Sequence, residues 1–316
     1  MRLDIRAEVF DGRRFAASGR AWKGIDTVNR KIRKGGETLR EDWYAAAEGE
    51  EMLLLRFPLL EQTGLVEHCF TGRTGGVSEG IFSSLNLSFS RGDEREAVAE
   101  NFRRLANALR TDVSKFVFTD QTHTTNVRTV TEADAGKGLT KELDYHDVDG
   151  LITDVPGLVL STFYADCVPL YFVDPVHRAI GLSHSGWKGT VGRMGAVTAE
   201  AMQREYGTAP EDLYCAIGPS ICMDCYEVSE DVADAFRQEF GGKEKDILFD
   251  KGNGKYQLDL WKANEIVLTE AGVRPERLAV TDICTCCNPD LLFSHRASRG
   301  RRGNVGAFLY LREDGN

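Results

Sequence analysis

Leu158-Val-Leu-Ser-Thr-Phe-Tyr-Ala-Asp-Cys-Val-Pro-Leu-Tyr-Phe-Val173 decides how the rest of the chain is read. It holds two short apolar runs, Leu158 to Tyr164 and Leu170 to Val173, rich in β-branched and aromatic residues. Gly157 precedes the first, and Asp174-Pro175 follows the second. Runs of that length and composition, punctuated in that way, read as buried strands.

Working outward, Phe116-Val-Phe118 and Ala179-Ile-Gly-Leu182 have the same strand-like character. Helical patterns lie between the strands. The clearest spans Glu94 to Arg110, where Val98, Phe102, Leu105 and Leu109 recur at spacings that share one helix face. Ser229 is placed to cap a helix bearing Val232, Phe236 and Phe240, and Leu260, Ala263 and Val267 mark another that Gly272 can close. The expected class is α/β, with mixed sheets and outer helices. No internal repeat, heptad array or low-complexity tract occurs, which excludes a solenoid or a filament.

The 316 residues carry 39 Lys and Arg against 49 Asp and Glu, a net charge of -10 that opposes broad attraction to nucleic acid or acidic membrane. Met1 to Arg14 alternates apolar and charged residues, so no signal-peptide core forms there. No other run approaches the roughly 20 apolar residues that cross a bilayer. The expectation is a cytoplasmic protein with no nucleic-acid or membrane partner. Its eight cysteines should stay reduced unless they bind metal or do chemistry. Residues 1–50, crowded with Lys31, Arg33, Lys34, Arg40, Glu41 and Asp42 around Gly35-Gly36, read as an appended extension, leaving 51–316 as the main domain.

His123, Cys167 and His184 each follow a strand-like run. Rigid sheet backbone can fix such side chains in the tetrahedral array of N and S donors, at about 2.0 to 2.3 Å, that zinc requires. Three protein donors leave one position open, the pattern of a catalytic ion. The separations of 44 and 17 residues match no short metal signature. Hydrogen-bonded core histidines and a buried thiol are the alternative that spacing leaves open.

These residues belong to an ordered series: Thr71-Gly-Arg-Thr-Gly-Gly-Val-Ser78, Ser84-Leu-Asn-Leu87, Gln121-Thr-His123, Asp149-Gly-Leu-Ile-Thr153, Ala165-Asp-Cys167-Val-Pro169 and His184-Ser-Gly-Trp-Lys-Gly-Thr190. Ile217-Gly-Pro-Ser220, Cys225-Tyr-Glu-Val228, Cys284-Thr285 and Phe293-Ser-His-Arg296 follow. Together they resemble the YfiH-like family, also called laccase-domain or polyphenol oxidase purine nucleoside phosphorylases, over about residues 55 to 312. The resemblance implies a single α/β domain of layered mixed sheets, with His123, Cys167 and His184 as zinc ligands. It also implies phosphorolysis of adenosine, inosine and methylthioadenosine to base and sugar 1-phosphate, with adenosine deamination as a second activity. Purine nucleoside and phosphate are then the partners.

Two other activities attach to the family. One is hydrolytic editing of wrongly joined amino acids in muramyl nucleotides, and the other is copper laccase chemistry. Laccase chemistry needs several coppers, yet the chain has six histidines in all and no His-x-His pair. Copper can nevertheless substitute for zinc at a His-Cys-His site.

Around the metal, Asp166 is the candidate proton shuttle, with a buried structural partner as its other reading. Arg73 in its glycine loop and Arg296 are the candidate phosphate ligands, while Arg299, Arg301 and Arg302 read as a solvated charge run. Asn86 is expected to hydrogen-bond substrate, and an Asx-type turn is its other reading. Gly76-Val-Ser78-Glu-Gly80 fits the formula of a nucleophile elbow but not its context, since a strand-like Ser84 to Phe89 follows where a helix is required. Cys222, Cys225, Cys284, Cys286 and Cys287 are expected to be buried reduced thiols, because the 58 residues between Cys225 and Cys284 exceed ribbon spacing.

Overall fold

Two six-stranded mixed sheets carry the fold of the computed structural model, which describes Ile32 and residues 35–313. The first sheet runs in the order β1 (Arg40–Ala47), β2 (Glu50–Arg56), β3 (Val66–Thr71), β15 (Val305–Leu311), β7 (Val159–Tyr164) and β4 (Phe116–Phe118). The second runs β14 (Leu278–Val280), β10 (Tyr214–Ile217), β8 (Val168–Asp174), β9 (Ala179–Ser185), β6 (Gly150–Thr153) and β5 (Val127–Thr129). A small third sheet joins β11 (Glu227–Ser229), β13 (Lys255–Leu258) and β12 (Leu248–Asp250). Only the β4–β7, β5–β6 and β10–β14 pairs are parallel among the described strands.

Strand alternation sends side chains into separate cores. In β15, Val305, Ala307, Leu309 and Leu311 enter the core between the two large sheets, while Phe308 and Tyr310 face the other way. In β8, Tyr171 and Val173 join that same central core, whereas Val168, Leu170 and Phe172 turn outward.

Helices close both outer faces. α1 (Pro58–Glu61) is a single turn, and α2 (Arg95–Ala108) buries Val98, Phe102 and Leu105 against the first sheet, as the periodicity predicts. The second sheet is covered by α4 (Met194–Tyr206) and α6 (Leu260–Glu270), with α3 (Trp187–Val191) and α5 (Glu230–Glu239) beside them. α7 (His295–Ser298) precedes β15. Asp259 caps α6 by accepting the Lys262 N–H at 2.9 Å. Among the described residues no helix is long and apolar enough to cross a membrane.

Two expectations need correction. The folded body does not begin at residue 51. β1 pairs with β2 from Arg40↔Arg56 onward, and Ile32 and Leu39 are buried in the central core. The charged look of residues 40–50 arises because β1 is an edge strand with an exposed face. Lys31, Arg33 and Lys34 lie outside the described residues. Ser84 to Phe89 is not a strand. Leu85 and Leu87 are buried as in one, but the Asn86 side chain engages the local backbone that a ladder would use.

Candidate metal centre

The sheets meet where β7 passes into β8, and this junction gathers the three predicted ligands. Beyond β4 the chain is laid along β7 by Gln121, whose Nε2 donates to Phe163 O at 2.8 Å and whose Oε1 accepts the Phe163 N–H at 2.7 Å. His123 follows with a left-handed φ of 66°, a conformation that costs a non-glycine residue of order 1–3 kcal/mol. The buried carboxylate of Asp149 holds it there. Oδ2 accepts the N–H groups of Thr122 at 3.1 Å and Thr124 at 2.9 Å, and Oδ1 accepts that of His123 at 3.2 Å. Cys167 directly precedes β8, and in the β8–β9 register Pro169 stands opposite His184, so pairing brings thiol and imidazole together.

Cys167 Sγ lies 3.9 Å from His123 Nε2, and the ligand atoms of all three residues fall within 4.8 Å of one another. A tetrahedral ion with bonds of about 2.0 to 2.3 Å needs such donors about 3.4 to 3.6 Å apart, a few tenths of an ångström tighter than the Cys167–His123 pair. Asp149 Oδ1 sits 2.7 Å from His184 Nδ1, which fixes the ring and leaves Nε2 as its ligand atom. A carboxylate on the far nitrogen of a ligating imidazole is a recurring support of metal sites. Gly186 makes room. A Cβ there would meet His123 Cδ2 at 2.9 Å and Cys167 Sγ at 3.2 Å, so only glycine lets the backbone pass this close.

The electrostatics fit a cation. Burial alone would push the Cys167 thiol up, but the His184 charge and the His123 ring overcome it and hold it down at about 6. Burial would depress His184, yet the Cys167 thiolate and Asp149 raise it to about 9. Two imidazoles and one thiolate, with one ring oriented by a buried carboxylate, fit zinc and also fit copper.

The other predicted residues divide. Asp166, 8% exposed, has both oxygens engaged: Oδ1 accepts from Thr285 Oγ1 at 2.6 Å and Oδ2 accepts the Arg296 N–H at 2.7 Å. Arg73 donates Nε to Ser83 O and Nη1 to Pro289 O, each at 2.8 Å, and lies over the Phe293 ring. Arg296 donates to the carbonyls of Cys225 at 3.1 Å and Glu227 at 2.9 Å. Asn86 is fully buried and fully used. Its amide donates to Ser88 O and Asp93 Oδ2, and its oxygen accepts the N–H groups of Ser88 and Asn304. No donor or acceptor is left for a ligand, so the turn reading replaces the substrate reading. Ser78 is likewise buried and accepts from Asn101 Nδ2, as a turn residue should.

Three residues come to the site without having been predicted. Asp149 stood in a quoted phrase, but nothing local showed that its partner lies 35 residues away. Arg302, read as solvated, is only 8% exposed, and its Nε has no hydrogen-bond partner. Burial and nearby Arg91 lower it to about 10 against the pull of Asp166 and Cys167, which places it within electrostatic range of the centre. Tyr226, half-buried, is in the same neighbourhood: burial, then the charges of Cys167 and Asp166, push its hydroxyl up, while Arg296 opposes them. Charge runs look alike in sequence whether solvated or folded inward, and so Arg302 was hidden.

Residues 67–312 match the family described as multi-copper polyphenol oxidoreductase laccase. The chain belongs to this YfiH-like family. It is 37% identical over 249 residues to the purine nucleoside phosphorylase YlmD of Bacillus subtilis, covering 77% of this chain and 88% of the relative. The crystal structure of YlmD from Geobacillus stearothermophilus superposes with a TM-score of 0.77 at 37% identity, covering 83% of this chain and 96% of that one. The YfiH hypothetical protein of Bacillus licheniformis gives a TM-score of 0.78 at 35% identity, covering 85% and 99%. The layered α/β fold is therefore a property of the family.

Proposed function

We propose that the chain is a zinc-dependent purine nucleoside phosphorylase acting on adenosine, inosine and methylthioadenosine, with adenosine deamination as a second activity. The observation that carries the reading is the convergence of His123, Cys167 and His184 within 4.8 Å, in a family whose matched relatives are named purine nucleoside phosphorylases. A zinc ion held by these residues would supply Lewis acidity at the reacting face.

The chain's own residues do the remaining work. Arg302 offers a buried guanidinium whose Nη groups engage Gly303 O, Asn304 Oδ1 and His295 Nδ1 but whose Nε–H has no partner, and that N–H is the donor left for phosphate. Phosphate forms a bond to the sugar carbon as the bond from that carbon to the base breaks, and the base leaves with the bonding pair and takes a proton. Tyr226 provides an aromatic face on which a purine can stack. Asp166 acts as a positioning residue: it ties α7 and the Thr285 loop to the strand end that bears Cys167.

The multi-copper description of the family sits poorly with these residues. Among the described residues, two clusters have metal-ligating geometry, and the second is all cysteine. The remaining histidines stand elsewhere: His68 against Phe57, His146 beside Asp120, His177 beside Asp174 and His295 beside Arg302. One His-Cys-His centre does not supply a set of coppers for dioxygen reduction.

The test is release of hypoxanthine from inosine by metal-replete protein, expected only when phosphate is present and lost in His123→Ala and Cys167→Ala. Turnover of a serine-bearing muramyl nucleotide with none of inosine would overturn the reading in favour of the editing hydrolase.

A further inference from the structure

Cys222-x-x-Cys225 and Cys284-x-x-Cys287 are far apart in sequence, yet the fold brings them together. A parallel bridge pairs Ser220 with Cys284, and the Thr285 N–H donates to Ser220 O at 3.1 Å, which lays the two loops side by side. The four Sγ atoms all lie within 4.8 Å of one another, and Cys225 and Cys287 are 3.5 Å apart. Four sulfurs at about 2.3 Å from a tetrahedral zinc stand about 3.8 Å from each other, within this spread.

The surroundings suit thiolates. Cys284 Sγ is buried and accepts two backbone N–H groups, from Cys222 at 3.2 Å and from Cys287 at 3.4 Å. Such donors stabilise negative charge on sulfur. All four residues are free cysteines, and paired Cys-x-x-Cys loops facing each other are a frequent frame of structural zinc. Ribbon spacing failed as a guide because parallel pairing of β10 with β14, continued by the bridge between the segments that follow them, performs the joining in place of a short hairpin.

We propose that Cys222, Cys225, Cys284 and Cys287 hold a second zinc ion, closed by four protein donors and structural in role. The site is independent of the catalytic reading, since it shares no ligand with His123, Cys167 and His184. It nevertheless supports the same wall. Ile221 N–H donates to Asp166 O, Thr285 Oγ1 donates to Asp166 Oδ1, and Arg296 grips the carbonyl of Cys225. An ion clamping residues 222–225 to 284–287 therefore fixes the loops that Asp166 and Arg296 lean on.

The experiment is elemental analysis of the full chain, purified under reducing conditions without added metal. Two zinc ions per chain are expected in the unaltered protein, and one in His123→Ala/His184→Ala. X-ray absorption at the zinc edge of that double variant should report four sulfurs at about 2.3 Å and no nitrogen. Cys225→Ser/Cys287→Ser should lose one zinc, while Cys286→Ser, outside the cluster, keeps both. If the Cys225→Ser/Cys287→Ser variant fails to fold, the absorption measurement still decides. Complete loss of zinc from His123→Ala/His184→Ala would overturn the proposal, as would stoichiometric iron, or an intact mass showing these cysteines paired as disulfides. Failure of nucleoside turnover would leave the His123→Ala/His184→Ala count unaffected, so the two readings fail separately.

Discussion

His184 and His68 are both buried, 2% and 1% exposed, yet their surroundings drive them in opposite directions. His68, on β3, stands against Phe57 and Tyr171, and its Nε2 accepts the Phe57 N–H at 2.8 Å. Burial, and then the charge of Arg56, push it down to about 3. Burial acts on His184 as well, but the Cys167 thiolate and the Asp149 carboxylate reverse it and lift the group to about 9. A cation beside the ring makes a core histidine, whereas two anions beside it make a cation-ready site. Depth leads at His68 and is overruled at His184, so burial alone does not fix the outcome.

This contrast can be broken by substitution. The largest effect is expected from Cys167→Ser or His184→Ala, which should abolish base release and lower the zinc content by one ion per chain. Full zinc content in both variants would refute the shared site. Asp149→Asn keeps the shape but removes the charge behind His184, and zinc affinity or kcat/KM should fall about 10- to 100-fold, as for other supports of metal ligands. Arg302→Gln should raise the KM for phosphate by about tenfold or more, because a charged hydrogen bond contributes about 1.5–3 kcal/mol. An unchanged phosphate KM would move the anion elsewhere.

The smallest effect belongs to His68→Gln, which retains an acceptor for the Phe57 N–H. Zinc content and turnover should be unaltered, and only the acid limb of stability should change. The folded-state pKa of His68, about 3, lies below the ordinary 6.5, so between those values the unfolded chain binds the extra proton. Its contribution to stability is complete above about pH 6.5 and is lost as pH falls toward 3. Thermal melts from pH 7 to 4 should show a shallower decline in His68→Gln than in the unaltered chain; equal slopes would show that His68 does not set the acid limb.

The contrast also marks what could be read from sequence. The strands around Cys167, the α2 face of Val98, Phe102 and Leu105, and the order of the family phrases carry local periodicity or local identity, so they were legible. Asp149 and Arg302 were not, since their meaning is a contact made 35 residues away in one case and an inward turn of a charged segment in the other. Asn86 misled for a related reason. An amide that serves a ligand and one that serves a turn are the same in sequence, and only a full count of its four hydrogen bonds separates them. β1 was missed because an edge strand needs only one apolar face.

His123 hangs from the edge of one sheet, His184 is woven into the other, and Cys167 sits on the chain crossing between them. An ion gripped by all three is a rivet through two plates. With such an ion in place the plates could not part at that seam, and the rate at which it exchanged with metal in solution would be a clock for the breathing of the sandwich.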